Sequence, residues 1–416
     1  MYVYADLYVL NAQNLTWKQI KSPKGPLPRT SHQAVVTKSY MYIFGGEFTS
    51  RNQEKFKHYG DLWRIDLSTF IWEQMPFKGP GQSPSPRSGH RMVTFKNLII
   101  LFGGFYDAGR ETRYYNDLWV FDLDSLKWDS KGSGGPSPRG GCQIALHAEK
   151  STLFVLGGYS TKPKDKFATP GPNKAKDQEE RGITHDDIWA LDLLTWKWEK
   201  VKKEGMAPTP RTSFGLAVQA SKAKAIMFGG VFDIEGVGDR MYSELFNEAY
   251  QFNMSLRRWF PLTVQPSKGK AKQTVEASEG IDSALSRATQ DRNTAASQAA
   301  IIIQAAFRGY AVRKAYQTYK VGGKVSELLY SPATYGIDWD SKEFIRPRAR
   351  SAPSLVVLKN TLWLFGGMVE IGHTDVVLDD IWCLDLNKLD SWKCMKENSS
   401  GEEAFKELSD ESEDES

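Results

Sequence analysis

A glycine pair that ends an apolar run, repeated five times, constrains the fold of this chain more than any other feature. The five pairs are Gly45-Gly46, Gly103-Gly104, Gly157-Gly158, Gly229-Gly230 and Gly366-Gly367. The run before each pair is apolar at consecutive positions, which is typical of a strand covered on both faces. Glycine adopts positive φ angles and lets another backbone approach closely, so each pair predicts a turn packed against a neighbouring segment. Repetition at this period predicts stacked supersecondary units.

Each glycine pair lies inside a longer repeated pattern. The pattern opens with Pro28-Arg29, Pro86-Arg87, Pro138-Arg139, Pro210-Arg211 and Pro347-Arg348. After the glycines come an Asp-(Leu or Ile)-Trp step, at Asp61, Asp117, Asp187 and Asp380, and a single tryptophan, at Trp72, Trp128, Trp198, Trp259 and Trp392. Short runs rich in Val, Ile, Tyr, Phe and Trp, bounded by turn residues, predict four strands per copy. Because a four-stranded sheet cannot bury its faces alone, the copies are predicted to stack radially as a β-propeller.

Three side chains of the pattern have predicted structural roles. The arginines are expected to donate hydrogen bonds between blades and not to form a ring of substrate ligands; they are Arg29, Arg87, Arg139, Arg211 and Arg348. The aspartate is expected to satisfy nearby backbone N–H groups at a strand start. The single tryptophan is large enough to fill the wedge between adjacent sheets.

This pattern resembles the kelch-repeat family. The resemblance implies an all-β kelch propeller with five full four-stranded blades, to which the sequence adds an N-terminal half blade and an inserted α-helix. The half blade is the segment Asp6–Asn11, which matches a third strand, followed by Trp17 in the place of the fourth-strand tryptophan. Since natural sheets avoid exposed edges, we expect the natural protein to have a longer N-terminus and six blades.

Composition divides the chain into four predicted parts. Residues 1–264 hold the first blades and residues 345–396 hold the last one. Residues 265–344 form an insertion with a helix at about 293–320, and residues 397–416 form an acidic tail that is predicted to be disordered.

The insertion contains the segment Ile303-Gln304-Ala305-Ala306-Phe307-Arg308-Gly309-Tyr310-Ala311-Val312-Arg313. The spacing of its apolar residues predicts an amphipathic helix with a basic face, which is typical of a calmodulin target. The segment matches the complete consensus of the IQ family. That resemblance implies that Gln304 and Arg308 read the C-lobe of calmodulin or an EF-hand light chain, that Ile303 and Phe307 fill its groove, and that Arg313 meets the N-lobe. Gly309 completes the consensus; the alternative is a helix packed on the flank of the propeller.

Composition and the remaining motifs favour a non-catalytic protein without cofactors or metal. Charge is nearly balanced, with 54 Lys and Arg against 50 Asp and Glu, so no nucleic-acid partner is predicted. No run approaches the ~20 apolar residues of a membrane span. The 3 cysteines are scattered, which favours a reducing, cytoplasmic location and leaves open an association with the cytoskeleton or cilia.

The six histidines form no catalytic or metal-binding pattern, and His32 and His90 share one repeat position. The predicted function is therefore a protein-interaction scaffold, with protein partners on the propeller face and calmodulin or an EF-hand light chain on the IQ helix. The alternative is a substrate-recognition subunit of a cullin-type ubiquitin ligase.

Overall fold

The computed structural model describes residues 3–22, 24–50, 56–76, 81–107, 112–161, 182–235, 241–264, 346–371 and 374–399. The predicted IQ helix and nearly all of the acidic tail lie outside these residues. The chain divides into two compact units, Met1–Leu262 with Arg348–Ile381 and Lys396–Ser416, and Thr263–Pro347 with Trp382–Met395. Within the described ranges, no helix is long and apolar enough to cross a membrane.

The described part of the chain is built from β-strands and one short 3-10 turn, Ala220–Lys222. The N-terminal hairpin and blade 1 comprise β1 (Leu7–Asn11), β2 (Thr16–Ile20), β3 (Gln33–Val36), β4 (Tyr40–Phe44), β5 (Glu47–Thr49), β6 (Phe56–His58), β7 (Leu62–Asp66) and β8 (Trp72–Gln74). Blade 2 comprises β9 (Arg91–Phe95), β10 (Leu98–Phe102), β11 (Phe105–Asp107), β12 (Thr112–Tyr114), β13 (Asp117–Asp122) and β14 (Lys127–Ser133). Blade 3 comprises β15 (Gln143–His147), β16 (Thr152–Leu156), β17 (Tyr159–Thr161), β18 (Gly182–Thr184), β19 (Ile188–Asp192) and β20 (Lys197–Val201).

The last two blades follow the same plan. Blade 4 comprises β21 (Glu204–Gly205), β22 (Gly215–Gln219), β23 (Lys224–Phe228), β24 (Val231–Glu235), β25 (Met241–Leu245), β26 (Ala249–Asn253) and β27 (Arg258–Pro261), and blade 5 comprises β28 (Ser354–Leu358), β29 (Thr361–Ile371), β30 (Thr374–Asp385) and β31 (Trp392–Lys396). Their sheet orders are β21-β27-β26-β23-β22 and β28-β29-β30-β31, so β21 adds a parallel edge strand to blade 4.

The fold is all-β, with five blades in a propeller arrangement, as the repeat predicts; four of the blade sheets have four strands, and that of blade 4 has five because of β21. The first three sheets have the orders β3-β4-β7-β8, β9-β10-β13-β14 and β15-β16-β19-β20. In the first four blades the glycine pair is followed by a separate two-stranded ribbon, formed by β5 with β6, β11 with β12, β17 with β18, and β24 with β25. Each blade is therefore a meander whose second and third strands extend into a hairpin beyond the glycines.

The hydrophobic core lies between successive blades. Apolar residues on both faces of the second strand make this possible, and Ile99, Ile100, Leu101 and Phe102 of β10 are all fully buried. One core cluster joins blades 1 and 2, a second joins blades 2 and 3, and a third joins blades 3 and 4. Burial of this apolar surface between the blades stabilises their stacking.

The repeated tryptophan packs across the blade interface, which confirms its predicted role. The ring centroid of Trp128 in blade 2 lies 5.4 Å from that of Phe44 in blade 1. The ring of Trp198 in blade 3 lies at the same distance from Phe102 in blade 2. Trp128 and Trp198 therefore each cover the phenylalanine that precedes the glycine pair of the blade before.

The N-terminal hairpin has the geometry of the two outer strands of a blade. The Leu15 N–H donates to the Asn11 carbonyl at 2.8 Å, as the Phe70 N–H donates to the Asp66 carbonyl in blade 1. Leu15 and Phe70 also share a positive φ, 55° and 56°. Because both turns close in the same way, β1 and β2 correspond to β7 and β8.

Contacts on both sides place the N-terminal hairpin between blades 5 and 1. The Trp17 ring lies 5.7 Å from that of Phe365, repeating the tryptophan–phenylalanine contact between blades 1 and 2 and between blades 2 and 3. On the other side, the Ser22 hydroxyl donates to the Phe70 carbonyl at 3.2 Å. The hairpin thus occupies the position of a further blade and supplies its two outer strands.

Candidate functional site

A buried arginine closes each blade onto its own glycine pair. In blade 2, Arg87 is 1% exposed. Its Nη1 donates to the Gly103 carbonyl at 3.0 Å and to Asp117 Oδ1 at 2.6 Å, while its Nη2 donates to Asp117 Oδ2 at 2.8 Å. Trp119 Nε1 also donates to Asp117 Oδ2, at 2.8 Å. A two-pronged arginine–carboxylate pair of this kind gives both strength and a fixed geometry.

An arginine–carboxylate pair recurs in every blade that the structure describes, although in blade 4 Arg211 makes a single contact with its carboxylate. The corresponding pairs are Arg29 with Asp61, Arg139 with Asp187, Arg211 with Glu248, and Arg350 with Asp380. Blade 4 uses Glu248 because its sequence has no Asp-Leu-Trp step. In blade 5 the sequence predicts Arg348 as the structural arginine. That prediction is wrong, because Arg350 is the residue that donates to the Gly366 carbonyl and to Asp380.

Two predicted roles within this cluster are corrected by the geometry. The arginine side chain bonds within its own blade, whereas its backbone carbonyl makes the contact between blades. The N–H groups of Gly46, Gly104 and Gly230 donate to the carbonyls of Arg87, Arg139 and Arg350, each at 2.9 Å. The carboxylates of Asp61 and Asp117 accept a backbone N–H, as expected, but only their own, and they also accept from arginine and tryptophan because burial brings those stronger donors within reach.

The surroundings of the aspartates favour their charged form. Burial would raise the pKa of Asp61, but hydrogen bonds from Arg29 and Trp63 outweigh burial and hold that pKa below its ordinary value. The same balance, with Arg87 and Arg139 as donors, lowers the pKa of Asp117 and of Asp187. The clusters are therefore ionised structural pairs near neutral pH and not proton-transfer groups.

The glycine pairs hold backbone conformations that a side chain would obstruct. All ten of the predicted kelch glycines have positive φ; they are Gly45, Gly46, Gly103, Gly104, Gly157, Gly158, Gly229, Gly230, Gly366 and Gly367. A Cβ on Gly46 would lie 2.6 Å from the Thr30 carbonyl oxygen, and one on Gly103 would lie 2.8 Å from that of Arg139. In blades 1, 2 and 4 the first glycine of the pair therefore faces the arginine carbonyl of the next blade, whereas the second glycine faces the segment that precedes the first strand of its own blade.

The histidines take part in packing and short polar contacts. His90 is fully buried, and burial together with the nearby Arg87 and Arg91 lowers its pKa well below the ordinary value. His58 Nδ1 lies 2.8 Å from the Ser88 hydroxyl, and the Asp107 N–H donates to His58 Nε2 at 2.9 Å. Across the residues that the structure describes, no group of three or more His, Cys, Asp or Glu side chains is placed to hold a metal ion.

The ribbons beyond the glycine pairs carry aromatic side chains at the surface. His58 and Tyr106, on neighbouring ribbons, lie with their ring centroids 4.8 Å apart. Phe105 contacts Tyr114, and Tyr114 contacts Tyr159 of the third blade, at 6.1 and 6.4 Å. Sequence analysis did not single out these residues, because the ribbons vary between blades and carry no shared motif. We call this set of ribbons the ribbon face.

The predicted IQ residues lie outside the residues that the structure describes. They are Ile303, Gln304, Phe307, Arg308, Gly309 and Arg313. The structure therefore shows the contacts of the repeated propeller residues, whereas only comparison with known proteins bears on the IQ residues.

Two family models match the chain. The KLHDC2/KLHL20/DRC7 Kelch-repeats domain matches residues 2–230, more than half of the chain. The IQ calmodulin-binding motif matches residues 297–317, a range that contains all six predicted IQ residues.

Three curated relatives are similar over part of their length. Acyl-CoA-binding domain-containing protein 4 of Arabidopsis thaliana is 26% identical over 281 residues, which cover 62% of this chain and 36% of that protein. Host cell factor 2 of Homo sapiens is 25% identical over 279 residues, covering 52% of this chain and 32% of that protein. Host cell factor 1 of Rattus norvegicus is 27% identical over 244 residues, covering 54% and 11%. The chain therefore spans between 11% and 36% of the length of these relatives.

Proposed function

The chain belongs to the kelch-repeat family, and from that premise we propose that it is a non-catalytic scaffold that binds proteins through its propeller and recruits calmodulin or an EF-hand light chain through its IQ motif. Kelch propellers are typically protein-interaction folds. The titratable groups of the blades are engaged in structural pairs, which fits a protein that holds partners.

The match to the IQ calmodulin-binding motif is the observation that carries the proposal. Residues 297–317 contain an uninterrupted consensus, with Ile303 and Phe307 as apolar anchors and Gln304, Arg308 and Arg313 as polar contacts. A basic amphipathic helix suits an acidic, Met-lined groove, since its apolar face fills the groove and its basic face meets the acidic rim.

The ribbon face supports the second half of the proposal. Phe56, Tyr106 and Tyr159 are exposed large side chains on three neighbouring ribbons. Aromatic residues are enriched at protein interfaces because they bury a large area with few rotatable bonds. Loops and hairpins on a rigid scaffold are also the usual site of recognition.

Calorimetry of the full chain with calmodulin, with and without Ca²⁺, tests the IQ half of the proposal. Ile303→Ala and Arg308→Gln are each expected to weaken binding about tenfold or more, because they remove a groove anchor and a charged contact. The matched controls Val325→Ala and Lys324→Gln remove the same kinds of group outside residues 297–317 and should leave the affinity unchanged. Equal effects of the two sets, or no binding by the unaltered chain, would sink the IQ half.

Proximity labelling tests the propeller half. If the ribbon face binds partners, Tyr106→Ala should fail to label some proteins that the unaltered chain labels. Leu194→Ala, an exposed apolar control in the turn between β19 and β20, should still label them. A labelled set unchanged by Tyr106→Ala and Phe56→Ala together would contradict this use of the face. Recovery of cullins with their adaptors would favour the ubiquitin-ligase alternative.

A further inference from the structure

A lysine lies in the turn between the first and second strands of every blade that the structure describes. These turns join β3 to β4, β9 to β10, β15 to β16, β22 to β23 and β28 to β29. Because each second strand runs from this turn to the glycine pair, the turns lie on the face opposite the ribbon face. The five residues, which are all exposed and are here called the lysine ring, are Lys38, Lys96, Lys150, Lys222 and Lys359.

The lysine ring lies at the centre of the propeller. The first strand forms one edge of each blade sheet, and the first strands of successive blades lie against one another, from β3 to β9, β15, β22 and β28. Contacts between blades continue as far as the turns, since Gln219 Nε2 donates to Asn360 Oδ1 at 3.0 Å. Because Asn360 directly follows Lys359, the turns of blades 4 and 5 are neighbours.

The local structure of the turns does not account for their lysines. Lys96 and Lys359 have positive φ angles, 54° and 58°, a region that favours glycine and asparagine over lysine. The turns also differ in length, because Lys96 and Asn97 alone separate β9 from β10, whereas Ala148–Ser151 separate β15 from β16. A lysine shared by turns of different length is better explained by its charge than by the backbone.

Little negative charge neutralises the lysine ring from within. In the described part of the chain, four of its members form no ion pair with a carboxylate; they are Lys38, Lys96, Lys150 and Lys359. The single acidic residue of the five turns is Glu149. The positive charge also acts on a neighbour, since burial and then Lys222 lower the pKa of Lys224.

A set of aspartates lies outside the lysine ring on the same face. In blades 1 to 4 a backbone hydrogen bond joins the turn after the third strand to the inner turn, as where the Leu67 N–H donates to the Ser39 carbonyl at 3.0 Å. Four of these outer turns begin with an aspartate that accepts backbone N–H groups two and three residues later; they are Asp66, Asp122, Asp192 and Asp385.

These aspartates are charged near neutral pH. Hydrogen bonds to the Asp66 carboxylate, first from the Ser68 hydroxyl and then from backbone N–H groups, lower its pKa to about 2. Backbone N–H groups are the main cause of the lowered pKa of Asp122, Asp192 and Asp385. The face therefore has a positive centre and a negative surround.

This arrangement of charge selects a compact anion. A small anion at the centre meets several lysines at once and stays away from the aspartates. An extended anionic surface, such as a membrane or a nucleic-acid backbone, would also approach the outer turns and be repelled there. Phosphate groups place several charges in a small volume, and lysine binds them as a point charge on a flexible stem.

We propose that the lysine ring binds a small soluble polyphosphate of the inositol polyphosphate class. The ligand lies at the centre of the face opposite the ribbon face, with its phosphate groups accepting hydrogen bonds from the lysine ammonium groups of successive blades. This site is separate from the ribbon face and from the IQ motif, so its occupancy does not depend on the protein partners proposed above.

Calorimetry of the full chain with inositol hexakisphosphate tests the proposal. Salt at 0.15 M screens charges beyond about 8 Å and so suppresses diffuse attraction. The unaltered chain should bind one ligand, and Lys96→Gln combined with Lys150→Gln should weaken binding about tenfold or more, through the loss of two charge-assisted contacts. The matched control, Lys57→Gln combined with Lys202→Gln, removes two exposed lysines from the opposite end of the blades and should leave the affinity unchanged.

A variant with the opposite expected sign separates ligand contact from a structural effect. Glu149→Gln removes the one carboxylate of the five turns, so it should tighten binding about twofold or more. Unfolding midpoints measured without ligand should be the same for the lysine variants and the unaltered chain, because the substituted side chains are exposed.

Two further probes identify the carrier of the phosphate. Phosphatidylcholine vesicles containing phosphatidylinositol 4,5-bisphosphate should not sediment with the chain, and a poly-glutamate peptide should bind more weakly than inositol hexakisphosphate. The proposal is overturned if the unaltered chain does not bind inositol hexakisphosphate, or if the ring pair and the control pair weaken binding equally. Sedimentation with vesicles that is lost in the ring pair would assign the ring to a membrane, and tighter binding of poly-glutamate would assign it to an acidic protein.

Discussion

Arg350, and not its neighbour Arg348, donates to both carboxylate oxygens of Asp380, with Nη1–Oδ1 and Nη2–Oδ2 distances of 2.6 and 2.8 Å. Arg350 is fully buried, and its Nη1 also donates to the Gly366 carbonyl at 2.9 Å. Arg348 is exposed and contributes its backbone carbonyl, which accepts from Arg350 Nε. The position of an arginine relative to the first strand therefore determines whether it pairs with the aspartate. An adjacent proline does not.

Replacing Arg350 should therefore cost far more stability than replacing Arg348. Arg350→Gln leaves the Asp380 carboxylate buried without its partner, a change that typically costs about 3–5 kcal/mol. Arg348→Gln is the matched control and should cost much less, because Arg348 is exposed and solvent weakens the interactions of an exposed charge. Urea denaturation of the two variants measures both values, and similar losses would contradict the assignment of Arg350.

Gly46→Ala and Gly81→Ala separate a steric clash from the strain of positive φ. Both glycines have positive φ, 93° and 82°. A Cβ on Gly46 would meet the Thr30 carbonyl oxygen at 2.6 Å, whereas one on Gly81 would have no atom within 4 Å. Gly81→Ala should cost about 1–2 kcal/mol for the left-handed backbone alone. Gly46→Ala should cost a further ~1–3 kcal/mol for the clash, and equal losses in thermal or urea unfolding would argue against it.

Stability should decrease as the pH falls below about 6.5, in part because of His90. Burial, with help from Arg87 and Arg91, lowers the pKa of His90 well below its ordinary value of 6.5. The unfolded chain therefore binds a proton that the folded chain does not, so the stabilising contribution is present above this pH and is lost as the pH falls.

His90→Cys tests that contribution, because Cys142 holds the same repeat position in blade 3. The variant should be less stable at pH 7.5 through lost packing, yet should lose about 1 kcal/mol less than the unaltered chain between pH 6.5 and 5.5. Urea titrations at the three pH values measure the difference. Identical pH dependence in the two proteins would contradict a neutral, buried His90.

Trp128→Ala and Trp17→Ala compare the interface between blades 1 and 2 with the contact between the N-terminal hairpin and blade 5. The Trp128 ring lies 5.4 Å from buried Phe44 and 5.1 Å from Phe121, so its removal should cost about 3–5 kcal/mol. Trp17 is 45% exposed and covers the half-exposed Phe365, so its removal should cost ~1–2 kcal/mol. Equal destabilisation, measured by urea unfolding, would mean that the N-terminal hairpin packs on blade 5 as closely as blade 2 packs on blade 1.

Much of the fold could be predicted because the repeat appears five times and each copy restrains the others. The blade strands, the wedge tryptophans and the half blade at Asp6–Asn11 all follow from this agreement. The choice of arginine in blade 5 could not be predicted in the same way. Gly103 lies 16 residues after Arg87, whereas Gly157 lies 18 residues after Arg139, so spacing alone permits either Arg348 or Arg350 in blade 5.

The blade plan, the glycine positions and the IQ motif could be predicted from the sequence, because they depend on local residue patterns that repeat or match a consensus. The pairing of the arginines within their own blades, and the use of Arg350 in place of Arg348, became apparent from the tertiary contacts. The tertiary structure also brings Trp17 of the N-terminal hairpin against Phe365 of blade 5. These contacts join residues far apart in the chain, and their partners are selected by burial and close packing between blades, which no local pattern encodes.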